Sequence, residues 1–166
     1  MIITPINSTE SAVHLSGYVT GATSGYKEVW PISATTASIA MPEILRQVTV
    51  SSSVTTDVAT NDGAHKVFLE GLNRGFEFQS EYIDLNGRTG VLSEKAYRAI
   101  NSAKVISSGV DGTNKGIIYI GSGAITTGVP ATSYSVIDQG ISVSETLCFT
   151  VPNGHMLEIE SISVVP

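Results

Sequence analysis

Short runs of alternating apolar and polar residues, cut every few positions by Gly, Asn or Asp, recur along this chain. Successive side chains of a strand point to opposite faces, so a period of two marks a half-buried strand, whereas a helix needs a period near 3.6. Many short strands separated by turn residues restrict the chain to an antiparallel sandwich or barrel. A parallel α/β sheet would need helices between its strands. The only helix signals are two single turns, Pro42–Gln47, with Pro42 at a first helical position, and Ser93–Ala96.

The pattern predicts particular strands and turns. Gln47–Val58 carries Val48, Val50 and Val54 between Ser and Thr. Lys66–Leu69 and Phe76–Asp84 flank Asn73-Arg74-Gly75. In the second of these, Phe76, Phe78 and Tyr82 share one face and Glu77, Gln79 and Glu81 the other, which predicts an aromatic inward face and an acidic outward one. Asn86-Gly87 closes that strand. Tyr97–Ser107 alternates Ala99, Asn101, Ala103 and Val105 with Ile100, Ser102, Lys104 and Ile106. The break at Val110–Asn114 contains an Asp-Gly turn signal, and Lys115–Ile120 follows, so the two runs read as a hairpin. A closing hairpin is expected at the end: Leu147, Phe149 and Val151 alternate with Cys148 and Thr150, Pro152-Asn153-Gly154 turns, and Leu157 to Val164 returns. Toward the N-terminus, Val13–Thr20 and Tyr26–Pro31 read as short strands joined by a loose Gly21–Gly25 loop. The expected organisation is one compact domain, with residues 1–45 as an N-terminal arm or set of edge strands and 46–166 as the β-sandwich. No fixed-period repeat divides it.

The 166 residues suffice to bury roughly two-thirds of the unfolded chain's surface, so neither disulfide nor metal is required for folding. Only 14% of residues are charged, against about a quarter in ordinary soluble domains. Such a surface suits strands rich in Thr and Ser, and also a protein partly covered by neighbours, because interface cores are poor in charge. The net charge of −6, with Lys and Arg scattered, argues against a phosphate-neutralising patch, so nucleic acid is not an expected partner. The Met1–Pro5 start lacks a basic n-region and an apolar h-region, and no apolar run approaches the ~20 residues of a spanning helix, so no membrane partner is expected.

Catalytic chemistry finds no assembled motif. Cys148 is the single cysteine and reads as a buried thiol without a base. His65 follows Asn61-Asp62-Gly63, His155 follows Asn153-Gly154, and both read as solvent-facing turn residues; His14 lies in an expected strand. No Gly-x-Ser-x-Gly elbow occurs. Asp57, Asp62 and Asp111 lie in or near expected loops but lack the spacing of a Ca²⁺ loop. Gly121-Ser122-Gly123-Ala124 opens no helix and reads as a turn rather than a phosphate loop. Glu77 and Glu81, four residues apart on one strand, would stand roughly 13 Å apart, too far for a glycosidase pair. Trp30 with Tyr26, or Tyr82 with Tyr119, is a possible sugar-binding platform, though strand aromatics more often fill cores. No catalytic, cofactor-binding or metal-ligating residue is therefore assigned, and a non-enzymatic role is expected.

The ordered series Asn101-Ser102-Ala103-Lys104-Val105, Asp111–Gly121, Gly128-Val129-Pro130 and Thr150–Gly154 resembles tailed-phage virion proteins, in which a strand and an N-x-G-x-I-x-I hairpin precede a Y-T-V-P-x-G turn. Phe149 stands where that turn usually has Tyr. The resemblance covers about residues 85 to 166. It implies a jelly-roll-like antiparallel sandwich and a capsid decoration, or cement, protein on the outer head surface. The implied partners are the major capsid protein and further copies of the chain in a homotrimer. The implied location is the virion, after synthesis in the host cytoplasm. A receptor- or glycan-binding module of a tail or fibre is the alternative.

Overall fold

The computed structural model describes residues 2–5, 11–12, 40–144 and 149–158. The described elements are β1 (Ile2–Pro5), β2 (Ser11–Ala12), β3 (Arg46–Ser52), β4 (Ala64–Leu72) and β5 (Phe78–Asp84), followed by β6 (Val91–Tyr97), β7 (Ala99–Ser108), β8 (Ile118–Thr126), β9 (Val129–Ile137) and β10 (His155–Glu158). Among the described residues there is no helix. The chain is an all-β antiparallel sandwich. One layer has the order β6-β3-β8-β9, the other β5-β4-β7, and a third, small sheet has the order β10-β1-β2.

The core lies between the two layers. Val48 and Val50 of β3, Ile118 and Ile120 of β8, and Ile137 of β9 meet Val67 and Leu69 of β4, Ile83 of β5, and Ile100 and Ala103 of β7. Fully burying one such Val, Leu or Ile contributes about 1.5–3 kcal/mol relative to exposure. Side-chain bonds on one side and backbone bonds on the other cover open edges of the layers. Across the β5–β6 side, the Glu81 carboxylate accepts from the Glu94 and Lys95 amides at 2.8 and 3.2 Å, while Gln79 Nε2 donates to Ala96 O at 2.7 Å. On the other side the segment after β9 runs beside β7: Val105 N donates to Ser142 O at 2.7 Å and Ser144 N to Ala103 O at 2.8 Å. Strand edges covered in this way do not offer unpaired N–H and C=O groups to another chain.

Several expectations are corrected. The β4–β5 hairpin forms over Asn73-Arg74-Gly75, with Leu72 opposite Phe78. Its faces, however, are inverted. Phe78 and Tyr82 are exposed, whereas Ile83 enters the core and Glu81 reaches β6. Phe76 and Glu77 precede the strand, in the turn closed by Asn73. The runs around Tyr97–Ser107 and Lys115–Ile120 are not a hairpin, because β7 pairs with β4 and β8 with β3 and β9. The chain between them crosses from one layer to the other. Asn114, almost wholly buried, braces that crossing by donating to Gly116 O at 2.7 Å and Asp138 O at 2.8 Å.

The closing hairpin is also replaced. Its Pro152–His155 turn is present, with Gly154 at φ 74° and His155 N on Pro152 O. Phe149–Val151 is not strand, and Thr150 is held instead by both ends of the Asn101 amide. His155–Glu158 pairs with Ile2–Pro5. Neither helical turn forms: Pro42–Leu45 is irregular and leads into β3, and Ser93–Ala96 lies inside β6. The Gly121–Ala124 turn is likewise strand, within β8. The expected strands Val13–Thr20 and Tyr26–Pro31, the return strand beyond Glu158, and His14, Trp30 and Cys148 lie outside the described residues.

Tyr97 ends β6 with no exposed surface. Burial first, and then the neighbouring Glu81 carboxylate, push its phenol far above the usual value near 10. Burial and Asp138 raise Tyr119 in the same direction. For each, the folded state holds the proton more tightly than the unfolded chain. Stability is therefore intact below pH ~10 and falls as pH rises beyond it, where only the unfolded phenol ionises freely. Tyr97→Phe should move the alkaline unfolding midpoint to higher pH; an unchanged midpoint would show that Tyr97 does not control this limb.

Candidate binding surface

The polar residues weighed for chemistry are held in structural roles. Asp57 is fully buried, and its carboxylate accepts from Ser52 Oγ (2.6 Å), Ala64 N (2.8 Å), Lys115 N (2.8 Å) and Gly116 N (3.0 Å). Those four bonds gather the β3, β4 and β8 approaches into one knot. Asp111 pairs with Lys115, which raises the lysine's pKa. Asp62 and Lys115 border an open groove with Val54, Thr56, Thr60 and Asn61. Among the described residues, no three His, Cys, Asp or Glu side chains converge as a metal site would require.

His65 and His155 are strand residues rather than turn residues. His65 lies in β4 and donates through Nε2 to Asn61 O at 2.6 Å. His155 opens β10, donates through Nδ1 to Asn153 O at 3.0 Å, and meets the Phe78 ring edge-on at 5.8 Å. Glu77 and Glu81 do not share a face. Glu77 accepts from Asn73 Nδ2 within its turn, and Glu81 binds β6. No nucleophile, base and orienting group come together in these contacts.

Tyr82 and Tyr119 are also separated. Tyr119 is buried in β8, whereas Tyr82 is 63% exposed on β5. Tyr82's partner is a residue the sequence reading passed over, Phe68, directly opposite it on β4. The ring centroids are 4.9 Å apart at a 39° tilt. On the far side of Phe68, Lys104 of β7 places its ammonium 5.0 Å from the ring centroid. One rung across the outer face of β5-β4-β7 therefore reads Tyr82, Phe68, Lys104. The neighbouring rung toward the loop pairs Lys66 with Asp84 at 3.1 Å. The next rung the other way sets Glu70 between Ser80 and Ser102, and beyond it Phe78, 56% exposed, faces Leu72. The period-two alternation that located this strand was the available signal for the face, but it did not say which side was outward.

An aliphatic edge adjoins this face on its β7 side. Val143 bridges Lys104 and is exposed, as are Ile106, two residues along β7 from Lys104, and Ile141, two residues before Val143. No helix among the described residues is long and apolar enough to cross a membrane. Comparison with family models, with curated proteins and with solved structures gives no match.

Proposed function

We propose that this chain is a non-enzymatic phage virion protein that decorates the outer surface of the head as a homotrimer and stabilises the shell by contact with the major capsid protein. The observation that carries the reading is the exposed aliphatic edge of Ile106, Ile141 and Val143, in a chain with only 14% charged residues. Protein contacts are built from such charge-poor apolar patches, rimmed by polar groups. The internal commitment of Asp57 and Glu81 supports a non-enzymatic role, and the resemblance of the turn motifs to those of tailed-phage virion proteins supports the setting. Many such contacts on a symmetric shell would give avidity without one tight interface. Neither nucleic acid nor membrane is a partner in this reading. The jelly-roll-like connectivity, eight strands in two Greek keys, belongs to the same proposal; the described residues supply seven sandwich strands.

Light scattering of the purified protein, followed by co-sedimentation with emptied heads, tests it. A trimer that pellets at a fixed ratio to the major capsid protein is expected. The double substitution Ile141→Asp/Val143→Asp should weaken pelleting more than about tenfold, because truncation at a contact centre costs upward of 2 kcal/mol. A protein that ignores heads and pellets with tails or host cells overturns the decoration reading.

A further inference from the structure

We infer that the outer face of the β5-β4-β7 layer is a binding site for a neutral polysaccharide, with Tyr82, tilted against Phe68, as its platform and Lys66, Asp84, Ser80 and Glu70 as its hydrogen-bonding flanks. A sugar ring has an apolar C–H side and a hydroxyl rim, and it is held best by a flat ring flanked by donors and acceptors. Tyr82 presents such a ring, and contact with Phe68, itself pinned by Lys104, holds it in place before any ligand arrives. Ordering done in advance is a cost the ligand does not bear. The adjoining rungs supply the rest. The Lys66–Asp84 pair lies on one side and Glu70 with Ser80 on the other, so hydroxyls can donate to carboxylates and accept from ammonium or serine.

Three features select this class of ligand. The face balances Lys66 and Lys104 against Glu70 and Asp84, in a chain whose net charge is −6, so a polyanion gains nothing there. Charged groups interrupt the apolar rungs, whereas the cores of protein contacts are depleted in Lys, Glu and Asp. Finally, Phe78 lies four residues along β5 on the same face, roughly 13 Å from Tyr82 by strand rise, and stands exposed against His155. Two apolar contacts at that spacing suit an extended chain better than a single sugar. The site is independent of whether the protein sits on a head or a tail.

Affinity electrophoresis of the full chain through gels containing dextran, laminarin, mannan or galactomannan, with dextran sulfate as the anionic control, tests the site. Retardation by at least one neutral polymer is expected. Tyr82→Ala should weaken it about tenfold, Tyr82→Phe should keep most of it, and Asp84→Ala should weaken it several-fold with the ring intact. Leu92→Ala, exposed on β6 of the other layer, should leave it unchanged. No retardation by any of the four, retardation by dextran sulfate alone, or equal retardation of wild type, Tyr82→Ala and Asp84→Ala overturns the inference. Loss of pelleting with heads in Tyr82→Ala, without polysaccharide binding by the wild type, assigns the face to a protein instead.

Discussion

Replacing Asp57 by Ala should destabilise the fold by about 4 kcal/mol, read as a shift in the urea midpoint with little change in slope. The carboxylate takes one hydroxyl and three backbone N–H groups, and its residue has no exposed surface. Removal leaves those donors without an acceptor in a site closed to water, at a desolvation cost of about 1–3 kcal/mol for each group that stays unsatisfied. The donors come from distant parts of the chain, so the loss falls on the junction between layers and not on one loop. Gly63 is part of the same construction: a Cβ there would stand 2.2 Å from the Asp57 carboxylate oxygen. Asp57→Asn keeps the shape but turns an NH₂ toward donors, so a smaller loss of about 2 kcal/mol is expected. A loss below 1 kcal/mol for Asp57→Ala would show that the knot is not a major support. Domains of this size are stable by about 5–15 kcal/mol, so the alanine variant should be partly unfolded well before the wild type on heating.

Asp57 also illustrates what could be read from the sequence. It stood out only as an acidic residue near a loop, because its four donors come from positions 52, 64, 115 and 116, and no local pattern connects them. Strand positions were legible, since alternation is a local property: β3, β4, β5 and β7 fall within or close to the expected runs. Strand partners were less so. Asn73-Arg74-Gly75 does join neighbours, but Asp111-Gly112 looks equally hairpin-like and carries the chain between layers. A turn motif fixes how the backbone reverses, and the burial of Asn114 beyond it decides where the next strand goes. Facing was the least legible. In β5 both sets of alternate residues mix polar with apolar, and the single Ile83 in the core outweighs the exposure of Phe78 and Tyr82. The binding surface was missed for that reason: Phe68 and Tyr82 are opposite each other only once β4 and β5 are paired, and outward only once Ile83 is inward.

The same dependence of local geometry on distant atoms predicts the second large effect, at Gly128. The β8–β9 connection turns through Thr127 and Gly128, both with positive φ, at 49° and 86°. Two consecutive positive-φ residues are the hairpin geometry that matches strand twist. Gly128 meets both demands of its position, since its backbone is left-handed and a Cβ would stand 1.9 Å from Ser52 O and 2.8 Å from Ser52 C. Ser52 is itself held in β3, and the Ser51 hydroxyl donates to Gly128 O at 2.8 Å, so neither side can retreat cheaply. Gly128→Ala should then cost about 3 kcal/mol, about 1 from the backbone conformation and the rest from forcing the turn off β3. Gly140→Ala separates the two contributions, because Gly140 has a similar φ of 76° with nothing within 4 Å of an added Cβ. It should cost only the conformational part, about 1 kcal/mol. Thr127→Gly should act in the opposite direction, since a β-branched residue at positive φ is strained and glycine relieves it. Urea unfolding of the three variants reads all these effects on one scale. Equal losses at Gly128 and Gly140 would mean that the turn yields to the clash, and that contact with Ser52 does not hold the β8–β9 hairpin against β3.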